Sequence, residues 1–240
     1  MPFRKIPVVA GEIYHVFNRS VARQPIFLAT KDFSRAIECI KFYLHGDLPL
    51  RFSHYNRLPV EQKDQITKQI QKCPQIVEIL SFCLMPNHVH FLLKGLTEKG
   101  IIQFMSNFQN SYAKYFNLRT DRSGTLFQAM FKAVRIETDE QLVHVNRYIH
   151  LNPVTAYIVN NIGDLENYPW SSYPAYCKAK SLSYLDSSSS FITKEPVLNL
   201  FKDIPAFKKF TADQVDYQRK LDEPNPPLGW EMHTPSIQTD

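Results

Sequence analysis

The sequence predicts an α+β fold: an antiparallel sheet with helices on one face, followed by a C-terminal extension. Three observations predict it. Short runs rich in β-branched and aromatic residues alternate with longer stretches whose apolar residues recur at helical spacing. These segments follow the order β-α-β-β-α-β, with one more helix after the last strand. Two of the strand-like runs meet at Pro86-Asn87, a turn dipeptide suited to a hairpin.

Gly11 to Val21 reads as the first strand, bounded by turn-forming residues. Thr30-Lys-Asp-Phe supplies a helix start, and Phe33, Ile37, Ile40 and Leu44 form one apolar stripe. Leu48 to Tyr55 reads as a further strand, and the polar stretch Pro59 to Lys72 as an inserted helix ending before Pro74. Gln75 to Met85 and His88 to Lys94 are the hairpin strands. Thr97 to Asn117 carries Ile101, Ile102, Met105, Phe108 and Tyr112 and reads as a long helix. A loop at Ser123-Gly124 leads to a short strand over Phe131 to Ile136. Asp139 to Leu151 is a third helix, expected to stop at Asn152-Pro153 because a residue before proline is pushed from the helical region. This order is that of a ferredoxin-like (RRM-like) sandwich, whose second sheet face is free to act as a platform. Residues 1–178 form this domain. Residues 179–240, with a serine run at Ser187–Ser190 and scattered prolines, form a partly disordered extension in which Lys194 to Arg219 supplies short helices.

At 240 residues, 44% apolar and 13% aromatic, the chain has material for a real core. The formal charge of +5 suits a polyanionic partner without requiring one. Positive charge concentrates between Phe91 and Ile136, where Lys94, Lys99, Lys114, Arg119, Arg122, Lys132 and Arg135 face only Glu98 and Asp121. The four cysteines are widely spaced and form neither a disulfide framework nor a zinc ribbon. The N-terminus lacks the apolar segment of a signal peptide, and no stretch reaches the length of a membrane span. A cytoplasmic protein is the expectation.

Two histidines stand inside an apolar strand, separated by one valine: Met85-Pro-Asn-His-Val-His-Phe. Side chains alternate along a strand, so His88 and His90 share a face and can reach one metal ion or one phosphate. The third helix ends Arg147-Tyr-Ile-His-Leu-Asn-Pro. Tyr148 and Asn152 lie four apart on one helix face, with His144 a turn earlier. Two readings stand for that pair: a phenol and an amide presented to the histidines, or a packing tyrosine with a C-terminal capping asparagine.

Met85-Pro-Asn-His-Val-His and Arg147-Tyr-Ile-His-Leu-Asn-Pro-Val together resemble the single-tyrosine HUH transposases, and within them the REP-associated tyrosine transposases. Tyr14-His-Val-Phe-Asn-Arg, Ser123-Gly-Thr-Leu-Phe-Gln and Tyr168-Pro-Trp-Ser-Ser-Tyr match the same branch, covering roughly residues 8–178 in the family's order. The resemblance implies a metal-dependent DNA transposase that acts on single-stranded or hairpin DNA. In it Tyr148 is the nucleophile, and His88, His90 and Asn152 hold Mg²⁺ or Mn²⁺. His144 is an alternative ligand. Insertion-sequence relatives commonly carry glutamine at the position of Asn152, whereas asparagine is the form expected in this branch, and its shorter arm bears on the ligand assignment. The resemblance further implies a covalent 5′-phosphotyrosine, a hairpin with a short guide sequence beside it, and a monomer or homodimer without nucleotide cofactor.

The chemistry explains the grouping. Phosphodiester cleavage needs charge neutralised on the non-bridging oxygens and a nucleophile in line. Making a phenolate from free tyrosine at pH 7 costs about 4 kcal/mol, which a bound phosphate and nearby cations offset in part. Arg19, Arg23, Lys94, Lys114, Arg119, Arg122, Lys132 and Arg135 are the candidate DNA-backbone contacts. Tyr14, Phe17, Tyr112, Tyr115 and Phe116 are candidates for either base stacking or the core. A plain RRM-like binding module would carry the K/R-G-F/Y-G/A-F-V-x-F/Y strand motif, which is absent. A replication or mobilisation initiator would need more chain. A domesticated, non-mobile hairpin-binding protein would carry the same residues as an active element.

Overall fold

The structure is a computed structural model that describes residues 7–178 and 191–215. Its centre is a four-stranded sheet built from β1 (Ile13–Arg19), β2 (Val77–Met85), β3 (His88–Gly95) and β4 (Lys132–Arg135), in the order β2-β3-β1-β4 with every neighbour antiparallel. That is the strand order of a ferredoxin-like sandwich. The Pro86-Asn87 turn joins β2 to β3 and sets Met85 opposite His88. The β1–β3 register sets Phe17 opposite His90 and Arg19 opposite His88. Alternation then sorts the side chains by face.

One face carries Tyr14, Val16, Val89, Phe91 and Leu93. It packs on α1 (Thr30–Phe42) and α4 (Gly100–Arg119), the crossover helices of the expected sandwich. In α4, Ile101, Phe104, Met105, Phe108, Tyr112 and Phe116 are buried at i, i+3 and i+4 spacing, while Ile102 points outward. Between α1 and β2 lie α2 (Phe52–Tyr55) and the inserted helix α3 (Val60–Ile70). The opposite face is half covered. There α5 (Asp139–Thr155) lies over β2 and β3 and buries Leu142, Val145, Ile149 and Leu151 against Leu80, Cys83, Met85 and Leu92. The β1–β4 half of this face is the part left as a platform.

Two local expectations are corrected. Leu48 to Tyr55 is not a strand: Pro49 removes a ladder donor, and Phe52 is buried against Phe42 of α1 and Tyr43 just after it, so the run closes as a helical turn. The third helix does not stop at Asn152 but runs to Thr155 with Pro153 inside its last turn. Burial of Leu151, Val154 and Thr155 outweighs the proline's local bias there. The stretch after residue 178, read from the sequence as an extension with short helices, packs on the domain where it is described. Thr193 N–H donates to the Ile79 carbonyl, and α8 (Glu195–Leu198) and α9 (Ile204–Ala212) pack Val197 and Phe207 into the second core. The expected disorder of the last residues lies outside the described ones.

The Tyr168–Tyr173 segment explains itself in this frame. It seals the outer edge of β2: Leu84 N–H donates to the Trp170 carbonyl, Ser172 N–H to the Phe82 carbonyl, and the Tyr168 hydroxyl to the Leu84 carbonyl. Between it and α5 lies α6 (Ile162–Leu165), and α7 (Tyr173–Cys177) follows it. Cys39 and Cys83 are buried and Cys73 and Cys177 partly buried, all as free thiols, and burial pushes the Cys39 thiol up to about 12.

Asp32 anchors the other layer. It is fully buried and accepts from Leu28 and Ala29 N–H at 3.0 Å, from the Tyr115 hydroxyl at 3.0 Å and from the Arg119 guanidinium at 2.9 Å. Asp32→Ala would strip the partly buried Arg119 of its partner, leave the Tyr115 hydroxyl without its acceptor and uncap α1 together. Urea denaturation should show a loss of about 2–4 kcal/mol.

Candidate active site

The β1–β3 register builds the site. On the face covered by α5, His15, Phe17 and Arg19 of β1 lie beside His88 and His90 of β3. The His88 and His90 rings sit edge to face with centroids 5.0 Å apart. Helix α5 brings Tyr148 onto them, its ring edge-on to His90 at 5.6 Å and to His15 at 5.8 Å. Asn152, one turn further, donates its amide N–H to the Tyr148 carbonyl at 2.8 Å, while its side chain shares a hydrogen bond with His88. Tyr148 and Asn152 therefore serve neither purely as packing nor as a cap: both reach the histidine pair. One chain supplies all four.

Helix α5 is held in register by anchors on either side of Tyr148. Thr138 caps its start, accepting from Gln141 N–H at 3.1 Å. His150, fully buried, bonds Ser172 Oγ through Nε2 at 2.7 Å, and Ser172 Oγ in turn accepts from Phe82 N–H. Sequence reasoning passed over His15, His150 and Asn87. The only signal for the first was its alternation with Tyr14 on a strand, and its place on the face of His88 follows from the β1–β3 register.

Burial dominates the electrostatics. It depresses His88 from the ordinary 6.5 to about 3, with the Arg19 charge adding to the effect and the Asn152 hydrogen bond opposing it. His15 and His150 fall to about 3 through burial, and His90 is held well below its ordinary value. At pH 7 these rings are neutral and keep lone pairs. The unfolded chain binds protons at these imidazoles below pH 6.5 and the native state does not, so stability rises with pH and is lost on acidification. Each imidazole that stays neutral gives a slope of about 1.4 kcal/mol per pH unit between roughly 6.5 and 3. Denaturation midpoints measured at pH 8, 6.5 and 5 should be close for the first two and clearly lower for the third.

The predicted cations divide between two faces. Arg19 is half-buried beside His88, and its charge favours an anionic Tyr148. Lys132 lies opposite Phe17 on the same face, its ammonium 5.9 Å from that ring. Arg23 is exposed next to the β2–β3 turn. These three border the site. The others are not brought there. Arg119 is spent on Asp32, Arg122 ties Asn117 to the Thr125 carbonyl, and Arg135 pairs with Glu12 at 2.8 Å. Lys114 lines a groove of about 1230 Å³ on the α1–α4 side, away from the histidines. Lys94 sits between Ile13 and Glu78 near the far end of β3. His144, the alternative ligand, turns outward, bonding Arg147 at 2.7 Å and packing on Phe210. Of the aromatics, Tyr14, Tyr112 and Phe116 are core, and Tyr115 is bound to Asp32. Phe17 alone lies on the site's face.

Among the described residues no group of three or more His, Cys, Asp or Glu could hold a metal, so any ion here rests on two imidazoles and an amide. The donor set fits: neutral rings on one face, with the Asn152 side chain already bonded to one of them. No helix among the described residues is long and apolar enough to cross a membrane.

Fold and site thus define a ferredoxin-like domain with a histidine pair and a tyrosine converging on its sheet. Residues 56–152 match the family model described as IS200-like transposase, a span that includes His88, His90, Tyr148 and Asn152. That span of the chain is similar to this family. No curated protein matches the chain. Among solved structures, it is similar to a REP-associated tyrosine transposase bound to a REP hairpin, with 18% identity and a TM-score of 0.47 over 78% of this chain and 90% of that one.

Proposed function

We propose that this chain is a transposase of the REP-associated kind, which cleaves and rejoins single-stranded DNA beside a hairpin through a covalent 5′-phosphotyrosine on Tyr148. The observation that carries the reading is the Tyr148 ring resting on His90, beside His88 and Asn152, in one chain. His88, His90 and Asn152 would hold Mg²⁺ or Mn²⁺. When bound, the ion would neutralise charge on the non-bridging oxygens of the scissile phosphate.

The residues of the chain do the rest. The Tyr148 oxygen attacks phosphorus, the bond from phosphorus to the 3′-oxygen breaks, and that oxygen leaves with a proton as a free 3′-OH. The phosphodiester energy is kept in the tyrosine ester, so a second 3′-OH can reverse the step and join a different strand without ATP. Arg19 supplies fixed positive charge beside the nucleophile. The open β1–β4 half of the face, with Phe17 and Lys132, offers a ring for stacking and a cation for the backbone.

The test is incubation with Mn²⁺ and a 5′-labelled or 3′-labelled strand carrying a hairpin. A denaturation-resistant adduct that retains only the 3′ portion of the strand is the expected result. Binding without any adduct, with Mn²⁺ and Mg²⁺ both supplied, would reduce the activity to hairpin recognition.

A further inference from the structure

We propose that His15 and Asn87 are positioning residues that hold His90 and His88 with their Nε2 atoms open for a divalent cation. The inference rests on the metal reading above and assigns a role to two residues outside the ligand set.

On the Asn87 side the His88 ring is held by a chain of hydrogen bonds that puts a proton on Nδ1, while the Asn152 side chain reaches the same ring. Asn87 Nδ2 donates to the Arg23 carbonyl at 2.9 Å, which determines which end of the amide is the oxygen. Asn87 Oδ1 then faces His88 Nδ1 at 2.6 Å, and as an acceptor it requires the proton on that nitrogen. Nε2 is left with the lone pair. The surrounding backbone holds this arrangement. Ser20 N–H donates to the Asn87 carbonyl, Ile26 and Phe27 N–H to the Pro86 carbonyl, and the chain turns through positive φ at Ala22 and Arg23.

His90 is served differently. His15 Nε2 lies 3.0 Å from His90 Nδ1, and the rings are stacked with centroids 5.3 Å apart. One proton lies between the two nitrogens. With the proton on His90 Nδ1, His15 accepts it and His90 Nε2 is open. Using Nε2 on His90 leaves His15 only Nδ1, which is buried and has no partner of its own. His15 is therefore no ligand while it serves His90. An orphaned buried nitrogen destabilises the fold, so folding alone gives no reason for histidine at this place. Orienting a ligand ring does give one, since a ligand's second nitrogen is ordinarily fixed by an outer partner.

This separates metal affinity from stability. Mn²⁺ titration of the full chain without DNA, followed by electron paramagnetic resonance, should show His15→Leu weakened about tenfold to a hundredfold. Its melting temperature should change little, because the unsatisfied His15 Nδ1 is removed while the buried His90 Nδ1 loses its partner. His15→Gln, whose amide oxygen can accept from His90 Nδ1, should recover much of the affinity. Wild-type Mn²⁺ affinity in His15→Leu would overturn the proposal. Should that variant not fold, nitrogen-15 NMR of the wild-type chain with Zn²⁺ decides. Coordination through Nε2 with a protonated Nδ1 on both His88 and His90 supports the proposal, and coordination through Nδ1 overturns it. A wild-type chain that binds no divalent cation overturns this inference and the metal reading together, whereas unaffected variants of a metal-binding chain overturn this one alone.

Discussion

Tyr148→Phe is expected to remove the covalent protein–DNA adduct altogether and to slow strand cleavage at least about a thousandfold. The substitution takes away one oxygen and keeps the ring. Tyr148 is only half-buried, and its edge contacts with His90 and His15 are made by the ring and survive in phenylalanine. Asn152 bonds the backbone carbonyl of residue 148, not its side chain, so it stays in place. The loss should therefore appear in chemistry and not in folding or recognition: the gel shift of a hairpin strand and the melting temperature should match the wild type. An adduct formed by the phenylalanine variant would remove Tyr148 from the mechanism.

His90→Ala is expected to have the second largest effect, on cation binding and cleavage together. His90 is central to the cluster, in ring contact with His15, Phe17, His88 and Tyr148, and nearly fully buried. Removing a ligand should weaken Mn²⁺ by more than the ten- to hundredfold typical of an outer partner. Hairpin binding measured in a chelator should persist, because Arg19, Arg23 and Lys132 are untouched and backbone contacts do not need the ion. Isothermal titration with Mn²⁺ and a chelated gel shift check the two halves separately. Undiminished Mn²⁺ binding in this variant would move the cation site elsewhere.

Much of this arrangement is legible in sequence because strand alternation and the four-residue helix repeat are local rules. They placed His88 with His90 and Tyr148 with Asn152, and the turn at Pro86-Asn87 was local as well. What required the fold was every pairing across elements. His15 became a partner of His90 only through the β1–β3 register, over 75 residues of chain. Arg119 and Tyr115 could not be told from surface groups until α4 was seen against Asp32 at the start of α1. His144 shares a helix face with Tyr148 by spacing, yet Arg147 and the α9 residue Phe210 draw it outward. The end of α5 failed for a related reason: tertiary burial of Val154 and Thr155 decided what a rule about Pro153 could only bias. The same limit applied to residues 191–215, since no local rule tells that Val197 and Phe207 seat them on α5 and α7.

The proposed function puts the DNA strand on one tyrosine of this chain. Trypsin cuts after Arg147, so a modified Tyr148 lies at the start of its own peptide, and fragmentation distinguishes it from the other tyrosines of the twelve. The adduct formed with Mn²⁺ and a hairpin strand should yield this peptide with a nucleotide 5′-phosphate on Tyr148 Oη. A phosphate on any other tyrosine, or a tyrosine joined to a 3′-phosphate, would contradict it.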